Sequence, residues 1–347
     1  KALKFGGWFC FYLMASSASA NCLNNKSGER LTNFCLLERT KGSVVSLEFA
    51  QFFDYRLKQS GYSNGAGLPG KAKPTTVSYQ AAPVVYYSSN INGGNPNKKL
   101  ILGEWDFSGD PKLVLKKGML LGATTGLTSR SIYAEGKFLD LNLSTSYAHS
   151  LKYNIGVLNL AGGICSKNHI KHFWHIDLCA NSSRTLKKIV NDQNRNISLD
   201  ITKLFSSMPG SHHEAAVSLN RNLFPNYQQN QLGFRLETVT PSGILSNIKM
   251  TFGEKIGNNV ALKNSLDWSL SKAWGKKILS LSGSFTKSWD GKIFGQLREE
   301  GSRSINMYYG LGNGINVGVG IASTDSNIDY FRSTNPSFYI NFTSLKF

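Results

Sequence analysis

Ile315-Asn316-Val317-Gly318-Val319-Gly320-Ile321-Ala322 is the stretch that decides the fold. Its odd positions are branched apolar residues and its even positions are small or polar. A period of two belongs to a β-strand with two unlike faces, because successive side chains point to opposite sides. The same parity runs outward along the chain. It recurs in Leu139-Asp140-Leu141-Asn142-Leu143-Ser144, in Ile197-Ser198-Leu199-Asp200-Ile201-Thr202 and in Leu232-Gly233-Phe234-Arg235-Leu236-Glu237. It continues through Leu262–Leu270 and Leu279–Phe285, where helical periodicity is nearly absent.

Two-faced strands build either a β-sandwich, apolar inside, or a transmembrane barrel, apolar outside. Three features select the barrel. The segments are long, often 10–14 residues, against the roughly 9–11 needed to cross a bilayer at a tilt. The polar face carries charge at mid-strand, in Asp140, Asp200, Arg235, Lys249, Lys263 and Asp267, which are therefore expected to face a lumen. The connections alternate: 325–335 and 290–301 are long, while Gly312-Asn313-Gly314, Trp274–Lys277 and Pro241-Ser242-Gly243 are tight. Tight turns on one side and longer loops on the other are what outer-membrane barrels show, and a sandwich gives no reason for it. The expectation is an all-β protein, a transmembrane antiparallel up-and-down β-barrel of about 14 strands (roughly 12–16, in even numbers). The strands counted run from 100–107 to 336–347. The stretch 75–88 also alternates and reads as an extra barrel strand, an inward plug or a periplasmic piece, so the barrel domain is set at 75–347.

Composition agrees. The 347 residues include 34 Gly, 14 Tyr and 20 Phe with only 17% charged, which excludes a disordered polyelectrolyte. Beyond the N-terminus no apolar run reaches about 18 residues, which excludes a multi-span helical membrane protein. Mean hydropathy is -0.23, the average of a lipid-facing and a lumen-facing set on every strand.

Residues 1–20 read as a secretory signal peptide: Lys1 and Lys4, an apolar Phe5–Ala15, then Ala18-Ser19-Ala20 as the cleavage site. Asn21 before Cys22 argues against a lipidated cysteine. Residues 21–74 form a short N-terminal periplasmic or plug segment. Within it Ser43–Leu57 is a strand pair or a short helix, and Ser60–Thr75 is a linker rich in Gly, Ser, Lys and Pro. Loss of Lys1 and Lys4 lowers the net charge from +18 to +16, and four cysteines remain in an exported chain. Cys22 with Cys35 and Cys165 with Cys179 is the local disulfide pairing, one of three possible. A zinc site would need thiolates in an oxidising compartment, and CxxC spacing is lacking. If Ile164 and Leu178 face lipid, Cys165 and Cys179 face the lumen and staple a hairpin, adding about 2–3 kcal/mol.

The chain finishes Ser337-Phe338-Tyr339-Ile340-Asn341-Phe342-Thr343-Ser344-Leu345-Lys346-Phe347. A terminal Phe closing an alternating strand resembles the C-terminal strand of Gram-negative outer-membrane proteins. The resemblance implies an outer-membrane location and makes Phe347 the signal read by the barrel-assembly machinery. Thr324-Asp325-Ser326-Asn327-Ile328, followed by Tyr330, resembles the last loop of surface lipoprotein assembly modifier barrels. Pro83–Gly94 is similar to the opening of such barrels, where an aromatic strand meets an S-N-[IV]-N turn. Those proteins usually carry a helical-repeat domain ahead of the barrel, and residues 21–99 show no helical repeat. This likeness therefore implies a fold and not an activity.

Candidate chemistry is thin, and no enzymatic activity, cofactor or metal is expected. His169, His172 and His175 lie between two cysteines, yet His172 and His175, three apart, point to opposite faces of a strand. His212-His213, beside Pro209-Gly210, reads as solvated surface. His149 and Ser150 are adjacent, so they point apart, and no third group orients them. Asn92-Gly93-Gly94-Asn95-Pro96 is turn chemistry. Nucleic acid is not an expected partner, because the basic residues form no recognition element. The positive charge reads instead as girdles facing anionic outer-membrane lipid, with Trp274 and Trp289 beside lysines. It also reads as a lumen in which Arg235, Lys249 and Lys263 favour anions. The expected function is a porin-like channel for small solutes. The alternative is a barrel assisting assembly or translocation of an exported surface lipoprotein. A surface adhesin or structural barrel comes third.

Overall fold

The alternating segments pair edge to edge and close on themselves. This arrangement comes from a computed structural model, which describes residues 22, 28–40, 46–62, 76–102, 104–108, 110–208, 210–275, 277–293, 295–311, 314–342 and 345–346. The expected signal peptide 1–20, most of the linker, and Phe347 lie outside the described residues.

Among the described residues fourteen strands form the wall: β1 Thr76–Ser88, β2 Gly118–Ala134, β3 Lys137–Ser150, β4 Ile155–His169, β5 Trp174–Leu186, β6 Asn191–Met208, β7 Ser211–Leu223, β8 Gln228–Val239, β9 Ile244–Gly253, β10 Leu262–Trp274, β11 Lys277–Ser288, β12 Glu300–Gly310, β13 Ile315–Ser326 and β14 Ser333–Phe342. Each pairs antiparallel with the next, and β14 pairs back onto β1 through Val84↔Asn341 to Tyr87↔Phe338. Leu345–Lys346 carries the last strand on against Gln80 and Ala81. Closure removes both sheet edges, so every strand finds partners on two sides without water.

The parity sorts residues as the sequence requires. Leu178, Leu199, Leu219, Leu232 and Phe252 are register neighbours on β5–β9, and each is at least 36% exposed on the outside. One residue along, Asp177, Asp200, Ser218, Gly233 and Thr251 make the matching inward row. Exposed Tyr133, Trp174 and Trp274 sit at strand ends on the tight-turn side, where amphipathic rings suit a membrane interface. An even-stranded closed barrel, apolar outside and polar inside with an aromatic rim, is the architecture of an outer-membrane protein.

The first strand is not where the alternation placed it. Residues 100–107 do not cross the wall; Lys99–Leu102 and Trp105–Ser108 pair with each other as a small hairpin. A four-residue strand reaches only about 13 Å, and Gly103 and Gly109 punctuate this stretch. The wall strand is 76–88, paired with β2 over its whole length. The total of fourteen stands because one segment left the wall and another joined it. The alternation of connections holds in part. The turn at 135–136 is minimal, whereas 89–117 is long and 289–299 carries its own hairpin. Three loop-side connections, 151–154, 187–190 and 224–227, are no longer than ordinary turns.

Two helices precede the wall, α1 Glu29–Thr40 and α2 Leu47–Gln59. The Ser46 side chain caps α2 by accepting from the Phe49 N–H at 3.3 Å. Residues 31–36 of α1 are buried on every side, because the helix lies inside the barrel. Leu31, Phe34, Cys35 and Leu36 form a core with Cys22 and the inward-facing Leu204 and Val239. A helix buried all round shows no amphipathic stripe, and α1 is accordingly missing from the sequence reading. On α2, Phe49 and Phe53 pack on this core, while Phe52 is turned out.

Candidate functional site

The lumen is divided into three zones by what the wall presents and by what is bound to it. The first lies at the tight-turn end, where α1 is clamped to β2–β8 by charge. Arg30 donates a two-point fork to Asp177 at 2.6 and 2.7 Å, the geometry that suits a guanidinium facing a carboxylate. Glu29 accepts from Arg130 at 2.8 Å, and Arg130 also forks onto Asp140 at 2.7 and 2.9 Å. Lys167 completes that group, 3.1 Å from Asp140. The Gly28 N–H donates to Glu237 at 2.9 Å, and Arg235 bridges Glu214 at 2.5 Å and Glu237 at 3.3 Å.

Apolar contact fixes the same helix. Phe34 meets Phe173 edge-on at 4.8 Å and His212 at 5.8 Å. His212 is therefore an inward, buried residue on β7, its Nδ1 3.0 Å from Ser206 Oγ, and not solvated surface. Gly136 in the β2–β3 turn lies at φ 65°, and a Cβ there would come 3.1 Å from the Tyr62 ring. Its N–H donates to the Gly61 carbonyl at 2.9 Å, so the turn and the end of α2 need a glycine between them. A cavity of about 270 Å³ remains between helix and wall, bordered by Glu29, Arg30, Phe34, Tyr62 and His175. Burial would raise the Glu29 pKa, but Arg130 and Ser60 outweigh it and hold the carboxyl below its usual 4.5. Burial pushes the Tyr62 phenol up to about 12.

The second zone is the loop 89–117. Ile91 is fully buried against Leu120, Ala148, Ile155 and Val157 on β2–β4. Asn92 organises the turn: its amide donates to the Val114 carbonyl at 2.9 Å, and its oxygen accepts from the Lys116 N–H at 2.8 Å. The loop is tied on both flanks. Lys187 Nζ donates to the Asn90 carbonyl at 3.0 Å, and the Asn97 amide donates to the Asp329 carbonyl at 2.6 Å. This loop is therefore strapped across part of the loop-side mouth.

The third zone is the inward face of β10–β14. Its register rows are mostly hydroxyls and amides, among them Ser269, Ser282, Asn306 and Ser337, with Asp267 a charged member at the β9 side. Ser271 donates to Ser280 at 2.8 Å, and Ser284 and Ser304 share a bond of 2.8 Å. Gly318 leaves no room for a Cβ under the Tyr339 ring, which lies across this wall.

The expected lumen residues divide. Asp140, Asp200 and Arg235 lie on the inward rows, and Lys249 and Asp267 face each other there as register partners. Lys263 does not sit at mid-strand. It occupies the bulge between Leu262 and Asn264, with its ammonium 4.5 Å from the Trp289 ring. An anion-favouring row of Arg235, Lys249 and Lys263 is not what the wall presents, since Arg235 is held between two glutamates. Cys165 and Cys179 are inward register partners joined as a disulfide, with Cα atoms 4.1 Å apart. Cys22 and Cys35 are joined as well and tie the chain ahead of α1 to its middle. His169 faces His175 across β4 and β5, their rings 5.1 Å apart, while His172 sits in the turn at φ 47°. Among the described residues no group of three or more His, Cys, Asp or Glu could hold a metal.

Two acids of the clamp escaped the sequence reading. Asp177, which holds Arg30, was within reach of parity, two residues before the inward Cys179. Glu214, which holds Arg235, was not, because His212-His213-Glu214-Ala215-Ala216 does not alternate.

No family model matches the chain, and no curated protein matches it. Among solved structures the chain is similar to Pseudomonas aeruginosa OpdK with vanillate, at 9% identity and TM-score 0.42 over 78% of this chain and 99% of that one. It is also similar to Pseudomonas aeruginosa OccK2 (OpdF) in complex with glucuronate, at 10% identity and TM-score 0.40 over 78% and 98%. Acinetobacter baumannii OccAB2 follows at 6% identity and TM-score 0.39 over 79% and 98%.

Proposed function

We propose that the protein is a porin-like channel for small polar solutes, which pass along the β10–β14 side of the lumen. The observation that carries this reading is the asymmetry of the interior. The helical segment and the loop 89–117 are anchored mainly on β1–β9. The opposite face offers paired serines and Asn306, groups that exchange hydrogen bonds with a passing solute without a strong charge barrier.

The test is conductance in planar bilayers together with liposome swelling in neutral sugars. Asn306→Trp, which narrows that wall, is expected to lower both. Met307→Trp, one residue along on the lipid face, is expected to leave both unchanged. A wild-type barrel that conducts nothing and admits no solute would rule the reading out.

The second reading, a barrel assisting surface lipoprotein assembly, draws on the resemblance of 83–94 and 324–330. Both stretches end at the loop-side rim, and Asn97 joins their loops. It requires an exported lipoprotein that co-purifies with the barrel. Normal surface display of such a lipoprotein in a deletion strain would set this reading aside.

A further inference from the structure

On the outer wall of β5–β7 the apolar belt gives way to a cluster of arginines. Above the row of Leu178, Leu199 and Leu219, toward the loops, Arg221 on β7 pairs with Ile197 on β6. Arg195 on β6 pairs with Leu223 on one side and Ser182 on the other. Arg184 on β5 pairs with Gln193. All three arginines share the parity of the belt leucines, so they point away from the lumen and are exposed. Arg221 is two residues from one partner of Arg195, and Arg184 is two residues from the other. Each is thus a diagonal neighbour of the next, about 7–8 Å apart.

Among the described residues none of the three has a carboxylate partner. Arg184 donates to the Asn191 amide oxygen at 2.9 Å, and Arg221 donates to that of Gln228 at 2.6 Å. Gln193, with its amide oxygen turned to Arg195, accepts at 3.1 and 3.0 Å. Of the nearby acids, Glu254 lines the same groove as Arg221 but bonds the Asn230 N–H at 2.8 Å and none of the three arginines, and Asp192 has inward parity beside Thr185. Arg303, also outward, differs in lying 3.3 Å from Asp325. Neutral amides fix the guanidinium forks without cancelling their charge. Directly below lies a groove of about 650 Å³ lined by Ile197, Leu219, Leu232 and Phe252, with Arg221 at its edge.

An array of uncompensated guanidiniums at the upper limit of an acyl-contacting belt stands at headgroup height. Arginine forks match phosphate oxygens in pairs. The array is on the loop side, away from the helical segment and the last strand's end, which places it in the outer leaflet. We propose that Arg184, Arg195 and Arg221, with the groove beneath, bind a phosphorylated, multiply acylated glycolipid of that leaflet. Its phosphates lie on the arginines and an acyl chain lies in the groove.

The experiment uses the full-length barrel in detergent, with bis-phosphorylated lipid A as the probe and its dephosphorylated form as the control. Native mass spectrometry counts the bound lipid, and competition gives relative affinity. Each Arg→Gln change is expected to weaken binding about fivefold, and R184Q/R195Q/R221Q roughly a hundredfold. R303Q is expected to bind as wild type. Heat-modifiability on gels checks folding; if the triple variant fails it, R195Q and R221Q singly decide the matter. Equal binding of dephosphorylated lipid A, undiminished binding by folded variants, or no binding by wild type would each overturn the proposal.

Discussion

Glu29 and Tyr62 show how single residues set the conditions under which the helical segment stays docked. Glu29 is held below its usual 4.5 by Arg130 and Ser60 despite burial. A depressed carboxylate contributes stability above its unfolded pKa and loses it as pH falls through the folded value. Tyr62 works in the other direction, since burial raises it to about 12. The docked state favours the neutral phenol, so that contribution fades as pH climbs from about 10 toward 12. Docking is therefore expected to hold between about pH 5 and pH 10 and to loosen on either side. Protease cleavage within 28–62 on the intact barrel, followed across pH, measures this. Glu29→Gln should weaken the acid limb, leaving the share carried by Asp177 and Glu237, and keep the alkaline one; identical acid limbs in both proteins would contradict the assignment. None of this could be read from the sequence, because Glu29 and Arg130 are a hundred residues apart in the chain and meet only when the barrel closes around the helix.

At the level of elements, the loop 89–117 shows where alternation misleads. Residues 100–107 read as a strand, but the loop's docking depends on Ile91, Asn92 and Asn97, which a period of two does not mark. Ile91 is fully buried among aliphatic side chains. Ile91→Asp places a carboxylate there without a partner, which costs several kcal/mol or drives the loop out. The expected result is a folded, heat-modifiable barrel with a larger or noisier conductance, because the wall pairs do not involve Ile91. A variant with wild-type conductance traces would mean that the loop does not restrict the mouth. The β10–β14 wall was more legible. Its serines alternate with Leu266, Leu270, Leu281 and Phe285, so parity alone assigns them inward.

For the whole molecule the question is whether the helical segment moves. Its anchors are mostly ion pairs with partly buried partners, and such pairs depend on pH and on the company of other charges. Phe34 on α1 and Phe173 in the β4–β5 turn touch edge-on, with ring centroids 4.8 Å apart, so cysteines at both sites lie within reach of a short bifunctional thiol reagent. Phe34→Cys with Phe173→Cys is expected to fix the segment once cross-linked. If the segment gates the lumen, the cross-linked protein conducts less than the same variant before treatment. The same conductance in both forms would show that solutes pass the segment without displacing it. The sequence by itself determined most of the wall: its class, thirteen of its fourteen strands, and the inward or outward side of the regular strands. It could do so because each strand must meet lipid on one face and water on the other, and that demand is written locally, residue by residue. Only the tertiary structure decided what occupies the lumen. The α1 clamp, the strapped loop and the neutralised Arg235 arise from partners far apart in the chain, brought together by closure of the barrel, and no local periodicity records them.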